Sequence, residues 1–498
     1  MHKKFLTNLG LILFLNLLIK PVYVLGIEKA IQNQVGTASY GIYFAIMNFS
    51  FLLTIILDFG ITNFNNKNIA QNNHLLTKHF SSLFTLKLML AALYIIIVMV
   101  AGFCIGYDNR LMKLLLIQGF NMFLLFFINY LRSNIAGLHL FKTDGFISVL
   151  DRTIMIIIGV YLLRSGLLQT ENGIMYFVYA QTFAYSVAAI TAFAVILKKT
   201  HSFKLKWNFP FSLMILKKSL PFAILTLLMS FYGRIDSVMI ERMLPAGVGD
   251  VQAGIYAQGF RLLDAANMIA FLVAGVLLPM FSRMVKHKES VEPIVKLISR
   301  LLLTPAIVVG IGCLFYKDEL MGYLYPWDKK EDLLIYAAHI KDSAQIFSFL
   351  MLSFVAVCTT YIFGTLLTAN GNMKQLNYMA ASGMILNIIF NYMLIKRYEA
   401  YGSSIISMCT QFLTAIIQVI LAQRIFKFKV NYRLINAFVL FTVGVIAINY
   451  CSHIPHFNWF TSRFDWMVNF SIMCACCVIW AFVTDMISIK AIFRFLKF

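Results

Sequence analysis

Five charged side chains lie deep inside the long apolar runs of this chain, and their types limit the chemistry that those runs can support. They are Lys20, Arg234, Asp236, Arg261 and Asp264. A charge inside a bilayer is costly, so such residues are candidates for a function by default. We predict that Lys20, Arg234 and Arg261 form a cationic cavity wall that binds an anionic ligand. Asp236 and Asp264 are candidates for binding a coupling proton or sodium ion.

The spacing of these charges also allows a purely structural role. Arg261 and Asp264 are three residues apart and can touch each other on one helix. Arg234 and Asp236 are two residues apart, about 200° around a helix, so they cannot both face one surface. Internal ion pairs, for example Arg234 with Asp264 on an adjacent helix, would neutralise the charges without a ligand. Both interpretations remain open. Six charges near span ends are weaker candidates, because snorkelling or interface contacts explain most of them: Asp58, Lys87, Asp151, Arg152, Arg300 and Asp485.

The composition indicates which elements must position these charges. Of 498 residues, 60% are hydrophobic and only 13% are charged, with a mean hydropathy of +0.79. A soluble domain carries about a quarter charged residues. The recurring apolar runs are long enough for a helix to cross about 30 Å of hydrocarbon. The sequence therefore predicts an all-α polytopic membrane protein.

Fourteen transmembrane helices are predicted from the apolar runs. Their ranges are 9–27, 40–60, 80–106, 111–129, 146–164, 174–197, 219–240, 252–281, 294–316, 345–369, 375–395, 401–422, 434–451 and 465–487. Lys20 precedes Pro21 in the first of them. A proline break in the backbone ladder is tolerated there when a cavity or a neighbouring helix satisfies the released carbonyl.

The charge distribution predicts the orientation. An even number of spans places both termini on one side of the membrane. If that side is the cytoplasm, the inner loops and tails account for the whole net charge of +21, as the positive-inside rule requires. The densest basic segment is 198–218. Because the basic residues flank spans, we predict anionic membrane lipids as their partners, and no nucleic acid.

One segment of seventeen residues occurs twice. Residues 27–43 (IEKAIQNQVGTASYGIY) and 240–256 (IERMLPAGVGDVQAGIY) align without a gap at an offset of 213, with seven identities. Chance gives about one. Both copies follow odd-numbered spans, so the two halves run parallel. A shared turn that closes a loop and starts a helix is the simpler explanation, but the matches in register favour duplication.

The repeat predicts two six-helix lobes and a short C-terminal addition. The predicted divisions are an N-lobe at 1–197, a basic cytoplasmic connector at 198–218, a C-lobe at 219–424, and two extra helices with a tail at 425–498. Two lobes around a central cavity suit alternating access, in which one lobe rocks against the other.

Four stretches of the sequence follow each other in an order and spacing typical of one superfamily. They are VGTASYGIY with ILDFGITNFNNKNIAQ (35–43 and 56–71), the region that begins RIDSVMIERML (234–284), LLTANGNMKQLNYMAASGMILNIIFNYMLI (366–395) and YGSSIISMCTQFL (401–413). With these stretches the chain resembles polysaccharide biosynthesis membrane proteins of the multidrug/oligosaccharidyl-lipid/polysaccharide exporter superfamily, especially O-antigen-type flippases. In the last stretch the family usually reads Gly-Ala-Ala, and this chain reads Gly-Ser-Ser.

The resemblance implies transport of a lipid-linked sugar across the inner membrane, for surface polysaccharide such as the O-antigen of lipopolysaccharide. Lys20, Arg234 and Arg261 would then hold the pyrophosphate of a polyprenyl-linked oligosaccharide as it moves from the cytoplasmic to the periplasmic leaflet. A polysaccharide polymerase and other assembly proteins are the expected protein partners. We expect no cofactor, no metal and no catalytic residue.

Three other functions remain open: a cation-coupled multidrug antiporter, a lipid II flippase, and a membrane-embedded polysaccharide polymerase. A polymerase is an enzyme, but none of the nine histidines falls deep in a span where it would serve as a buried general base. No Gly-Lys dipeptide occurs, so there is no phosphate-binding P-loop. The deep charges are three basic and two acidic, which favours an anionic substrate over cationic drugs. We predict a transporter and not an enzyme.

Overall fold

A computed structural model describes residues 15–16, 18–62, 75–138, 140–199, 208–327, 332–428, 431–453 and 465–487. These residues form helices joined by turns, and the described ranges contain no β-strand. Eleven of the helices are long and apolar enough to cross a membrane, or twelve if the bent pair Leu18–Val35 and Thr37–Leu52 counts as one span. The prediction of an all-α polytopic membrane protein is confirmed.

The long helices are named α1 to α14 in chain order. Their bounds are α1 Leu18–Val35, α2 Thr37–Leu52, α3 Leu75–Ile105, α4 Asn109–Gly137, α5 Phe141–Ser165, α6 Gly173–Leu197, α7 Phe209–Met243, α8 Val248–Lys286, α9 Glu292–Phe315, α10 Leu333–Ala369, α11 373–398, α12 400–426, α13 Tyr432–Ser452 and α14 Asp465–Val483. Two short helices, Ile55–Asp58 and Lys317–Leu324, follow α2 and α9.

The division between α11 and α12 rests on one residue. Met373–Phe426 is a run of 54 residues with helical hydrogen bonding. A straight helix of that length would measure about 80 Å, far more than a bilayer requires. Glu399 interrupts it with non-helical backbone angles, φ 51° and ψ −137°. The break falls between the predicted spans 375–395 and 401–422, so the run supplies two of the fourteen predicted helices.

The first two helices differ from the predicted ranges. The first span is predicted to end at residue 27, but α1 continues to Val35. The part of that predicted span before residue 15 lies outside the described ranges. Gly36, with φ 85°, then allows a bend of 120° into α2. No proline or glycine interrupts residues 27–35, so nothing in that stretch stops the helix. Within α1, Tyr23–Glu28 forms a π-helical turn just after Pro21.

Polar side chains at three helix starts satisfy backbone amides that lack a helical partner. Asp108 accepts a hydrogen bond from the backbone amide of Leu111 at 2.8 Å, at the start of α4. Asp332 does the same at the start of α10, and Asn431 at the start of α13. Such caps stabilise a helix by about 1 kcal/mol each and fix where it begins.

The chain forms two compact units. The first comprises Met1–Ala257, and the second comprises Gln258–Phe498, so the boundary falls inside α8. Within the first unit, α7 packs against α2. Within the second, α13 and α14 pack on α9 through a cluster that includes Phe441 and Met473. The predicted lobes divide instead at 198–218, of which 200–207 lie outside the described ranges, and the lobe division remains a prediction.

Candidate functional site

Arg234 of α7 is held by two residues of α2. Its Nη1 donates a hydrogen bond to Oδ1 of Asn48 at 3.3 Å, and its guanidinium carbon lies 4.9 Å from the ring centre of Phe51. Asn48 is itself buried and donates from Nδ2 to the Ser237 hydroxyl at 2.9 Å. The guanidinium is therefore oriented by a neutral amide and an aromatic ring on one face of α2. This is a suitable setting for a cation that must recognise an anion.

Asp236 has a different environment from Arg234, as the spacing of two residues predicts. Its carboxylate is buried and accepts a hydrogen bond from the Tyr256 hydroxyl of α8 at 2.8 Å. Tyr256 is the last residue of the second repeat copy. A tyrosine of the second repeat copy therefore donates a hydrogen bond to a buried carboxylate that lies four residues before that copy begins.

Removing this hydroxyl tests how much the buried carboxylate depends on it. We expect Tyr256→Phe to lower the free energy of unfolding by about 1.5–3 kcal/mol, because a hydrogen bond to a charged group is lost. Tyr43→Phe is the matched control at the equivalent repeat position. The Tyr43 hydroxyl accepts from Gln181 at 2.8 Å and donates to the Met47 sulfur at 3.6 Å. Both contacts are neutral, and the first is worth about 1 kcal/mol. Unfolding in detergent measures both, and equal losses would contradict a charged Asp236.

Arg261 and Asp264 make the contact that their spacing predicts. Nη1 of Arg261 lies 3.8 Å from Oδ2 of Asp264, one turn along α8. Both side chains are partly exposed, so the pair is not sealed in a core. The alternative partner for Asp264, Arg234, belongs to the other compact unit, and that pairing remains a prediction.

Lys20 of α1 lies near charges of α4 and α5. Arg152, Arg132 and Asp151 are all within electrostatic range of its ammonium group. Arg132 donates two hydrogen bonds to Asp144, from Nε to Oδ1 at 2.7 Å and from Nη2 to Oδ2 at 3.3 Å. These charges are therefore of both signs.

Arg152 is a residue whose surroundings were not foreseen from the sequence. Its guanidinium carbon lies 4.8 Å from the ring centre of Tyr23 and 5.8 Å from that of Tyr185, and its Nε lies 3.5 Å from Asp151. A position near a span end suggested snorkelling, whereas the structure holds the side chain between aromatic rings. The available signal was Tyr23, which falls one turn after Lys20 and so shares its helix face.

The remaining span-end charges also contact each other. Lys87 contacts Asp58, and Arg300 Nη1 lies 3.7 Å from Asp485.

The five deep charges are divided between the compact units. The first unit contains Lys20, Arg234 and Asp236, and the second contains Arg261 and Asp264. Among the described residues, no group of three His, Cys, Asp or Glu side chains is placed to hold a metal.

The C-terminal end of α7 carries a second arginine that stacks on an aromatic ring. Arg242 lies with its guanidinium carbon 3.8 Å from the ring centre of Tyr107, in the turn between α3 and α4. Burial raises the pKa of the Tyr107 phenol above its usual range, and the nearby Glu241 carboxylate adds to the rise. The phenol is therefore neutral at physiological pH, and Arg242 stacks on an uncharged ring.

Comparison with known sequences gives one family. The polysaccharide biosynthesis protein family matches residues 8–285, more than half of the chain. An uncharacterized membrane protein of Methanocaldococcus jannaschii is 25% identical over 217 residues, which cover 44% of this chain and 48% of that protein. The chain therefore spans about half the length of this curated relative.

Several solved structures of transporters have folds similar to that of this chain. The lipid II flippase MurJ in an inward closed conformation has a TM-score of 0.68 at 14% identity, covering 93% of this chain and 96% of that one. An inward-facing multidrug resistance MATE transporter of the MOP superfamily has a TM-score of 0.63 at 13% identity, covering 84% and 98%. A MOP superfamily transporter from Pyrococcus furiosus has a TM-score of 0.61 at 12% identity, covering 85% and 96%. At these identities the likeness shows the fold alone, and it is the superfamily fold that the sequence resembles.

Proposed function

Because the chain belongs to the polysaccharide biosynthesis protein family, we propose that it is a flippase for a polyprenyl-pyrophosphate-linked oligosaccharide used in surface polysaccharide synthesis. Its transporter fold supports transport rather than enzymatic turnover. The proposed direction is from the cytoplasmic to the periplasmic leaflet of the inner membrane, with both termini in the cytoplasm. O-antigen units are the substrate class that the resemblance favours.

The observation that carries this proposal is the environment of Arg234. An arginine within a membrane-spanning helix is costly unless it has a partner or a function. Here Asn48 and Phe51 hold the guanidinium in one orientation, which lowers the entropy lost when an anion binds. A phosphate matches this group, because the planar guanidinium donates parallel hydrogen bonds to two oxygens.

The proposed mechanism uses the two predicted lobes. Lys20 of the predicted N-lobe, with Arg234 and Arg261 of the predicted C-lobe, would hold the pyrophosphate during the change of access. The polyprenyl tail would stay in the bilayer, because transferring its apolar surface to water is unfavourable. Asp236 and Asp264 are the proposed sites for a coupling proton or sodium ion.

The experiment that tests the function is deletion of the gene in its host, followed by measurement of where lipid-linked oligosaccharide accumulates. We expect accumulation in the cytoplasmic leaflet and loss of surface polysaccharide. Normal polysaccharide with altered sensitivity to cationic drugs would contradict the proposal and favour the multidrug antiporter. Unpolymerised units that already face the periplasm would favour the polymerase.

A lipid II flippase is the second candidate, and the likeness to MurJ across 93% of the chain favours it. The same deletion strain separates the two candidates. Accumulation of lipid-linked peptidoglycan precursor, with surface polysaccharide intact, would identify the second candidate and exclude the first.

A further inference from the structure

The two copies of the repeated segment lie against each other. Gly41 of α2 and Gly254 of α8 occupy the same position of the repeat. A Cβ atom on Gly41 would overlap the carbonyl oxygen of Asp250 and lie 2.6 Å from the backbone nitrogen of Gly254. A Cβ atom on Gly254 would overlap the carbonyl oxygen of Thr37. The two backbones therefore touch, and the contact has room only for glycine at both positions.

This contact is reciprocal. Thr37 and Asp250 are also equivalent positions, since both pairs are 213 residues apart in the sequence. Each glycine thus meets the carbonyl one turn before the other glycine. A reciprocal contact of this kind is the pattern of a two-fold interface, in which one surface patch packs on its own copy.

A shared turn does not explain why these glycines recur. The first copy bends at Gly36, with φ 85°, whereas its equivalent Gly249 lies inside α8. The positive φ of the second copy is at Gly247 instead, with φ 86°. The backbone turns therefore differ between the copies, while the close helix contact is common to both.

The crossing is surrounded by a layer that excludes water. The side chains that flank the two glycines are almost completely buried: Tyr40, Tyr43, Ala253, Ile255 and Tyr256. Gln32, also buried, donates from Nε2 to the carbonyl oxygen of Gly254 at 3.4 Å. This last bond ties the end of α1 to α8 at the same level.

The crossing lies at a defined depth relative to the candidate charges. Asn48, which holds Arg234, comes seven residues after Gly41. Arg261 comes seven residues after Gly254. Seven residues are about two helical turns, or roughly 10 Å, so each residue lies on the same helix face as its glycine and deeper in its helix. The predicted orientation places the repeat copies on the outer side of the membrane.

We propose that the Gly41–Gly254 crossing is the outer seal of the transporter, and that opening this side requires α2 to separate from α8 at these two glycines. This inference rests on the proposed function in so far as it assumes alternating access. It adds a specific requirement: two repeat-related positions must lack a side chain for the outer side to close. Any side chain at either position would force the two backbones apart.

The test is the accessibility of a residue beneath the seal. Ser237, which is buried beside Asn48, is replaced by cysteine as the reporter. A membrane-impermeant maleimide is added to the outside of oriented vesicles, and modification is read at that peptide by mass spectrometry, so that native cysteines do not interfere. Gly41→Val and Gly254→Val should raise modification at least tenfold over the Ser237→Cys parent. Gly275→Val is the matched control in α8, since no atom lies within 4 Å of a Cβ there, and it should leave modification unchanged.

Two outcomes would overturn the proposal. One is parent-level modification in valine variants that fold and insert normally. The other is strong modification of the parent, with no further increase in the variants. If valine prevents folding, Gly41→Ala and Gly254→Ala decide the matter with one added carbon, and they should give a smaller increase. The assay uses no lipid-linked sugar, so an increase in modification together with transport of a different substrate would refute the proposed function and leave the seal intact.

Discussion

Alanine at Arg234 should lower transport of the proposed lipid-linked oligosaccharide substrate by about ten- to a hundredfold, while the protein remains inserted in the membrane. A hydrogen bond to a charged partner contributes about 1.5–3 kcal/mol, which corresponds to that range of affinity. Arg234→Lys keeps the charge but loses the planar fork, so it should retain part of the activity. Transport is measured as oligosaccharide that reaches the periplasmic leaflet, and membrane abundance by immunoblot.

The control for this prediction is an arginine outside the membrane core. Arg110 is exposed and donates to the backbone carbonyl of Glu171, at 3.0 Å. Arg110→Ala should transport at the parental rate. Full transport by Arg234→Ala would show that the guanidinium does not bind the substrate.

Arg261 allows the ligand-binding and ion-pair interpretations to be separated. Arg261→Ala removes a cation and also leaves Asp264 without the pair seen at 3.8 Å. If the pair is purely structural, adding Asp264→Asn should restore transport, since it removes the carboxylate charge that Arg261 contacted. We expect no such rescue, because the proposed role of Arg261 is to contact the pyrophosphate. Lys20→Ala should behave like Arg261→Ala and lower transport.

The sequence predicted features that depend on local geometry. The contact of Arg261 with Asp264 follows from the pitch of one helix, and the different environments of Arg234 and Asp236 follow from the same rule. The predicted gap between 395 and 401 contains Glu399, where the helical run breaks. In each case the decisive information lies within a few residues of the chain.

Features that depend on which helices pack together were not predicted. The rings around Arg152 come from α1 and α6, and no periodicity within α5 specifies them. The close contact of Gly41 with Gly254 joins segments 213 residues apart. Repetition of a motif indicated common ancestry of the two segments, but it did not indicate that they touch. Packing of this kind is set by the shapes of whole helix surfaces, which a single sequence does not display.

The largest effect on stability is expected at Lys87, a deeply buried charge of α3. Lys87 is 3% exposed, contacts the Asp58 carboxylate, and donates to the carbonyl oxygen of Leu57 at 2.9 Å. Thr62 also donates to Asp58, from its backbone amide at 3.3 Å. Breaking a buried pair by removing one partner typically costs about 3–5 kcal/mol, because the other charge stays buried without compensation. We therefore expect Lys87→Met to lower the free energy of unfolding in detergent by about that amount.

The double variant Lys87→Met/Asp58→Asn distinguishes the charge pair from simple packing. Removing both charges takes away the uncompensated carboxylate, so the double variant should recover most of the stability lost in the single one. Lys296→Met is the matched control, since its pair with Glu292 is far more exposed and should contribute less than about 1 kcal/mol. A double variant no more stable than Lys87→Met would mean that Lys87 stabilises the fold through its aliphatic chain and not through its charge. In that case the short helix Ile55–Asp58 would not depend on the charge of α3 for its stability.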